Sequence, residues 1–225
     1  AALALAAVCA GASWGASGYE PSIDPYSMYN TTLIAGAQSW WDSGYTGKGV
    51  DVAVIDTGVA PVAGLDAPGK VVYGPDLSFD SQDPDATNLD GYGHGTAMAS
   101  IIAGNDGAAG GFTGVAPDAR ILSVKVGASD GAVDVSQIIA GIDWVVQHAH
   151  DPGFNMRVIN LSYGTNSTQS YVLDPLAYAA EVARYCDARD IDFFAVRRRV
   201  NARLAAERGA QLPSCGGLLV PTIGV

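Results

Sequence analysis

Hydrophobic and polar positions divide the chain into short strands separated by amphipathic helices. Three apolar runs rich in β-branched residues and bounded by turn-forming residues are typical of buried strands: 50–55, 120–126 and 157–163. Helical spacing of apolar residues predicts four helices, over 33–44, 94–104, 135–149 and 174–185. The stretch between the first strand and Gly93 has no regular period and is predicted to be irregular.

The order of these elements predicts the fold class. Strands that alternate with helices indicate an α/β fold, a mostly parallel sheet with helices on both faces. In open sheets of this kind the chemistry gathers at the carboxyl ends of the strands. Asp56 follows the first strand, and Ser162 to Gly164 end the third, so both lie where a site is expected.

Composition and charge indicate a folded protein and exclude one class of partner. Of the 225 residues, 48% are hydrophobic and 16% are charged, which disfavours intrinsic disorder. The net charge of −11 argues against nucleic acid, because phosphate contact needs clustered Lys and Arg. The cysteines, Cys9, Cys186 and Cys215, form neither a disulfide framework nor a zinc spacing. Nothing in the sequence determines the oligomeric state.

The first residues predict a lead-in segment over 1–32. Residues 1–12 are apolar and small, like the core and end of a secretory signal, although no Met or basic leader precedes them. A signal remnant and a buried helix both stay open, and the signal reading predicts a secreted protein. No other segment approaches the roughly 20 apolar residues of a transmembrane helix.

The tail from residue 184 to 225 differs from the rest of the chain. It holds 7 basic and 4 acidic residues, whereas residues 1–183 hold 5 basic and 19 acidic residues. Two hypotheses remain open for this arginine-rich segment: a basic amphipathic helix at 195–208, or a changed reading frame in a GC-rich gene. The main domain is therefore predicted to cover 33–183.

Two segments carry the candidate chemistry. Asp56 stands in VAVIDTGVAP directly after a strand, and His94 stands in DGYGHGTAMASIIAG at the start of a helix. A carboxylate that binds one imidazole nitrogen fixes the tautomer and leaves the other nitrogen free to accept a proton. Gly93 and Gly95 are expected to keep side chains away from the imidazole. The pair thus predicts an orienting acid and a general base.

These segments resemble the amino-terminal part of a subtilisin-like serine peptidase domain. Asp-Thr-Gly at Asp56 and Gly-His-Gly-Thr at His94 match the catalytic aspartate and histidine motifs of that family. GVAPDARILSVKV (114–126) and INLSYG (159–164) follow in the family's order. The resemblance implies a serine endopeptidase acting on polypeptides without a required cofactor. It also implies that Ser162, Tyr163 and Gly164 bind substrate.

The sequence departs from the family at two motifs. The oxyanion asparagine, in an Ala-Gly-Asn setting, and the nucleophilic serine, in Gly-Thr-Ser-x-Ala, are both absent from the 225 residues. Ser214 lies in Leu-Pro-Ser-Cys-Gly, which does not match. We therefore expect a sheet incomplete at its carboxyl end, an inactive and aggregation-prone chain, and, as the alternative, a noncatalytic peptide-binding relative of the fold.

Other interpretations of the same residues are weaker. Asp56 alone could cap a turn, and one Asp-Thr-Gly could belong to an aspartic peptidase only in a dimer. His148 and His150 suit a helix carboxyl end, where positive charge is favourable. The acidic loop holds five aspartates, for which a solvated surface is favoured over calcium binding, a possibility that the resemblance also allows. They are Asp76, Asp80, Asp83, Asp85 and Asp90.

Overall fold

The computed structural model describes residues 19–108, 111–164, 170 and 173–187. Within them lie four strands and five helices. In chain order they are α1 (Met28–Ile34), α2 (Ala37–Asp42), β1 (Asp51–Asp56), β2 (Val71–Asp76), α3 (His94–Ala103), β3 (Arg120–Lys125), α4 (Val135–His148), β4 (Met156–Asn160) and α5 (Pro175–Asp187).

The four strands form one parallel sheet in the order β2-β3-β1-β4. β1 therefore lies inside the sheet, between β3 and β4. Its register pairs Asp51 with Arg120 and Asp56 with Lys125. The ends of β1 and β3 are level, so the residues that follow them start from the same edge.

Both faces of the sheet are covered, and β1 contributes to each. Ala53 and Ile55 pack on one side with residues of α4 and α5, among them Ile142. Val52 and Val54 pack on the other side with Ala99 and Ala103 of α3. Because successive side chains of a strand point to opposite faces, a run of apolar residues is required in a strand covered on both sides. The predicted α/β class is confirmed.

All three predicted strands and three of the four predicted helices are confirmed, with boundaries shifted by a few residues. α4 begins as the sequence suggests: the side-chain oxygen of Gln137 accepts a hydrogen bond from the backbone nitrogen of Asp134 at 2.7 Å. The prediction that the stretch between the first strand and Gly93 is irregular is wrong at one place, because that stretch contains β2. Gly74 and Pro75 interrupt the strand pattern there, and such residues are tolerated at a sheet edge.

The predicted helix over 33–44 is wrong in its continuity. α1 begins earlier, at Met28, because the hydroxyl of Ser27 accepts the backbone N–H of Asn30 at 3.1 Å. It ends at Ile34, and Gly36 adopts a left-handed conformation with φ of 75° before α2 begins. A glycine in this conformation ends a helix and turns the chain.

Several predictions fall outside the described residues. They concern the signal-like segment 1–12, the basic helix at 195–208 and the changed reading frame of the tail. In the described part, no helix has the length and apolar character that crossing a bilayer requires. The domain limits at 33 and 183 stay predictions.

Candidate active site

Asp56 is the last residue of the inner strand β1, and its side chain is 1% exposed. Its Oδ1 accepts a hydrogen bond from the backbone nitrogen of Thr57 at 2.8 Å. This is the local bond of an aspartate that begins a turn, so the turn interpretation describes part of its surroundings. The same carboxylate has a second and more distant partner.

That partner is His94, the first residue of α3. Its Nδ1 lies 2.8 Å from Oδ1 and 3.0 Å from Oδ2 of Asp56, although 38 positions separate the two residues. The imidazole side chain remains 39% exposed. One nitrogen is therefore bound to a buried carboxylate while part of the ring stays open to solvent. A ring held in this way can take up a proton on its other nitrogen.

The glycines beside His94 act differently from our expectation. A Cβ on Gly95 would meet the carbonyl oxygen of Gly58 at 2.2 Å, so Gly95 permits α3 to lie against the turn after β1. A Cβ on Gly93 would meet nothing within 4 Å, but Gly93 has a φ of 95°. Gly95 is required by the close approach of two backbone segments, and Gly93 by its left-handed conformation. Neither glycine is explained by space for the imidazole.

The predicted substrate loop lies after β4, which neighbours β1 in the sheet. The Oγ of Ser162 lies 3.0 Å from the side-chain nitrogen and 3.3 Å from the side-chain oxygen of Asn160. Gly164 is exposed. The three predicted residues therefore occupy the same end of the sheet as Asp56. Their contact with substrate stays a prediction.

Tyr163 packs against the cluster of apolar residues under α4 and α5. Its hydroxyl oxygen is buried and has no hydrogen-bond partner among the described residues. Burial raises the pKa of this hydroxyl far above its ordinary value, and the nearby carboxylates of Asp56 and Asp90 raise it further. Tyr163 is thus a neutral side chain close to both acids.

Asp90 is a residue of this site that the sequence analysis left in the acidic loop. Its carboxylate accepts hydrogen bonds from Thr57, at the start of the turn after β1, and from Thr96, in the first turn of α3. One signal was available: an aspartate followed by glycine, four positions before His94, is typical of a side chain that caps nearby backbone.

Two aspartates of the acidic loop are hydrogen-bonded to other parts of the protein. Asp76 accepts from the backbone of Ser78 and of Asn88, and Asp80 accepts from Lys125 and Ser129. In the part of the chain that the structure describes, no three ligating side chains gather around a common point. A solvated surface is also only partly correct, since these aspartates bond to the protein. Calcium binding stays an untested prediction.

The two other histidines lie at the far end of α4. Nδ1 of His148 lies 2.7 Å from the carbonyl oxygen of Trp144, and the two rings stack with centroids 4.4 Å apart. His150 is exposed just beyond the helix. Neither is part of the Asp56 and His94 arrangement.

The model of the subtilase family, Peptidase S8, matches residues 47–200, about two thirds of the chain. The chain belongs to the subtilase family. The match includes the Asp56 and His94 motifs and the four strands. It confirms the resemblance on which the site was predicted.

Individual subtilases are similar to 60–70% of the chain. A subtilisin-like protease of Coccidioides posadasii is 38% identical over 136 residues, which are 60% of this chain and 31% of that protein. The minor extracellular protease Epr of Bacillus subtilis is 30% identical over 158 residues, 70% of this chain and 22% of that protein. The crystal structure of a cold adapted subtilisin-like serine proteinase has a TM-score of 0.47 and 35% identity, covering 62% of this chain and 44% of that one. The chain thus spans less than a third of the length of these two curated relatives.

Proposed function

We propose that this chain carries the acid and general-base half of a subtilase active centre, which cleaves peptide bonds as a serine endopeptidase. The contact between Nδ1 of His94 and the buried carboxylate of Asp56, at 2.8 Å, is the observation that supports the proposal. Membership of the subtilase family supports the reaction class.

His94 acts as the base in this proposal. When Nδ1–H donates to Asp56, the lone pair on Nε2 accepts the proton of a serine hydroxyl as its oxygen attacks the substrate carbonyl carbon. The imidazolium then gives that proton to the leaving amine when the peptide bond breaks. Asp56 stabilises the imidazolium and keeps its ring oriented. The reaction needs no metal or organic cofactor.

The proposed substrate is a polypeptide. Ser162, Tyr163 and Gly164 follow β4 at the edge of the sheet where Asp56 lies, and Gly164 leaves its backbone accessible. In the proposal the backbone of this loop pairs with the extended substrate beside His94. A loop at the carboxyl end of a strand adjacent to the acid suits that role.

We further propose that the 225 residues alone do not hydrolyse peptides. They contain neither Gly-Thr-Ser-x-Ala nor Ala-Gly-Asn. Loss of a triad nucleophile lowers turnover by about 10⁶-fold, and loss of the oxyanion donor adds to that effect. In this proposal the serine and the oxyanion donor lie outside these 225 residues.

Two preparations test this function. The purified 225-residue chain should give no turnover of a chromogenic peptide and no labelling by a fluorophosphonate, which reacts with activated serines. The complete gene product should cleave the peptide, and His94→Ala should lower its turnover by about 10⁶-fold. His150→Ala, a change at an exposed histidine outside the site, serves as the control.

Each result has a defined meaning. Cleavage by the 225-residue chain that His94→Ala abolishes would overturn the proposed inactivity. A complete gene product whose turnover is unchanged by His94→Ala would overturn the role of His94. Peptide binding without turnover in that product would favour the noncatalytic relative instead.

Secretion is the proposed localisation. Two relatives from Bacillus subtilis, Epr and Vpr, are named minor extracellular proteases, at 30% and 36% identity. Residues 1–12 have the apolar and small-residue character of a secretory signal. Fractionation of the producing cells, with the chain found in the medium rather than in the cells, is the expected result.

A further inference from the structure

The carboxylate of Asp90 receives more hydrogen bonds than any neighbouring side chain of the site. Oδ1 accepts from the hydroxyl of Thr57 at 2.8 Å, from the backbone nitrogen of Gly93 at 2.7 Å and from that of Tyr92 at 3.1 Å. Oδ2 accepts from the backbone nitrogen of Thr96 at 2.7 Å and from its hydroxyl at 2.6 Å. Five donors therefore converge on one side chain.

These donors belong to the two motifs that form the site. Thr57 directly follows Asp56, and its hydroxyl oxygen also accepts the backbone N–H of Gly95 at 3.0 Å. Gly95 directly follows His94. Asp90 and the hydroxyl of Thr57 thus form a continuous chain of hydrogen bonds from the end of β1 to the start of α3.

Only an ionised carboxylate can complete this arrangement. Each of its oxygens faces donors alone, whereas an asparagine would turn an NH₂ group toward N–H or O–H donors on one side. A negative charge is also favourable beside the first turn of α3. Burial by itself raises the pKa of Asp90, but hydrogen bonds from Thr96, Gly93 and Thr57 lower it more, so the pKa lies below its ordinary value.

The loop is fixed on the other side by the buried ammonium of Lys125, the last residue of β3. Its Nζ donates to the carbonyl oxygens of Leu89 and Ala86, each at 2.8 Å, and lies 3.2 Å from Oδ2 of Asp80. Leu89 directly precedes Asp90. The position of Asp90 is therefore set by the sheet itself.

We propose that Asp90 is a positioning residue that keeps His94 against Asp56 by joining the start of α3 to the turn after β1. The inference rests on the proposed function, in which His94 is the base. It adds a second carboxylate, whose hydrogen bonds come from Thr57, Tyr92, Gly93 and Thr96 rather than from the imidazole. When Asp90 no longer accepts these bonds, Nδ1 of His94 is less firmly held by Asp56 and the Nε2–H tautomer gains population.

Imidazole ¹⁵N shifts test this directly on the 225-residue chain, above the pH at which its imidazoles are protonated. The chain has three histidines, so selective labelling gives three resolved ring systems. We expect His94 to show the Nδ1–H form in the unchanged chain. In Asp90→Asn the ratio of the Nδ1–H to the Nε2–H form should fall about fivefold, the change that one weakened hydrogen bond produces.

Matched variants separate this effect from general damage. Thr57→Val removes the linking hydroxyl at nearly constant volume and should reproduce the shift, whereas Thr57→Ser keeps the hydroxyl and should restore the Nδ1–H form. Asp85→Asn changes an exposed aspartate of the same loop and should leave His94 unchanged. His148, whose Nδ1 faces the carbonyl oxygen of Trp144, is an internal reference in every spectrum.

The outcomes distinguish the inference from the function on which it rests. Absence of the Nδ1–H form at His94 in the unchanged chain contradicts the proposed Asp56 and His94 pair. Its presence there, together with an unaltered ratio in Asp90→Asn and Thr57→Val, overturns the role of Asp90. If Asp90→Asn does not fold, the comparison of Thr57→Val with Thr57→Ser decides.

Discussion

Gly95 marks the closest approach between the helix that carries His94 and the strand that carries Asp56. An added Cβ would lie 2.2 Å from the carbonyl oxygen of Gly58 and 3.1 Å from Cβ of Asp56. The obstacle is backbone, which cannot move aside as a flexible side chain can. The position therefore determines how near the two functional groups can come.

Gly95→Ala should separate His94 from Asp56. The methyl group forces α3 away from the turn after β1, and overpacking of this kind costs about 1–3 kcal/mol of unfolding free energy. We expect a lower urea midpoint and loss of the Nδ1–H form at His94. Ala97→Ser, on the exposed side of the same helix, is the control and should change neither. An unshifted His94 spectrum in Gly95→Ala would contradict the close approach.

At the scale of single residues, the sequence allowed part of the site to be predicted. Asp56 and His94 stand in short motifs whose chemistry is recognisable without coordinates. Tyr163 was named as a substrate-binding residue through the family resemblance, whereas Asp90 was left in the acidic loop, because the surroundings of Asp90 depend on how the loop after β2 folds back over the sheet. The proposed role of Asp90 depends on donors from the turn after β1 and from residues 92–96, and the spacing of these residues along the chain does not show that they converge on one carboxylate.

Among the elements, β3 joins the sheet to the acidic loop through Lys125. The side chain is 0% exposed, and all of its donors are used by oxygens of that loop. A buried charge of this kind is tolerated because its partners satisfy it. The order of the loop, and with it the place of Asp90, depends on the end of a central strand.

Lys125→Met should test that dependence. Methionine keeps much of the length of the side chain but removes the Lys125 donor from two carbonyl oxygens and the cation beside Asp80, whose carboxylate keeps its bonds from Ser129, and this costs about 3 kcal/mol. We expect that loss in urea unfolding, with faster amide exchange in residues 77–90. Lys48→Met, at an exposed lysine, should be nearly neutral. Equal stability of both variants would contradict the anchoring role of Lys125.

Element prediction succeeded where the apolar pattern was continuous and failed where local chemistry interrupted it. β1 and β3 are fully or nearly fully buried, so their apolar runs are long and clear. β2 is only partly buried and contains Gly74 and Pro75, which hide a strand signal. The break between α1 and α2 follows from the backbone conformation of Gly36, which apolar spacing does not report.

Over the whole molecule, charge and stability are connected through a few inward-facing aspartates. The sequence has a net charge of −11, and three of its aspartates, Asp51, Asp80 and Asp90, each accept hydrogen bonds from the protein and have a pKa below the ordinary value. For Asp51, burial raises the pKa, while hydrogen bonds from Arg120 and the backbone of Asn155 lower it more.

These lowered values determine the direction of the pH dependence. A carboxyl group whose pKa is lower in the folded state than in the unfolded chain binds fewer protons when folded, so its stabilisation is complete above about pH 4, the ordinary aspartate value. It is lost as the pH falls below that value and through the folded-state pKa. We expect the urea midpoint to be nearly constant from pH 7 to 5 and to fall steeply below pH 4.

Asp51→Asn should remove one share of that acid sensitivity. Asp51 lies at the start of β1, and its carboxylate binds Nε of Arg120 at 2.7 Å and the backbone nitrogen of Asn155 at 2.8 Å, which ties β3 and the approach to β4 to the central strand. The neutral amide cannot replace these charged bonds, so the variant should be about 2 kcal/mol less stable at pH 7. Because it has no carboxyl group to titrate there, the difference from the unchanged chain should shrink as the pH falls below 4.

Tryptophan fluorescence in dilute solution measures this without interference from precipitation near the sequence pI of about 4.4. Asp66→Asn, at an exposed aspartate, should follow the unchanged chain at every pH. A constant difference between Asp51→Asn and the unchanged chain from pH 7 to 3 would show that Asp51 does not contribute through its charge.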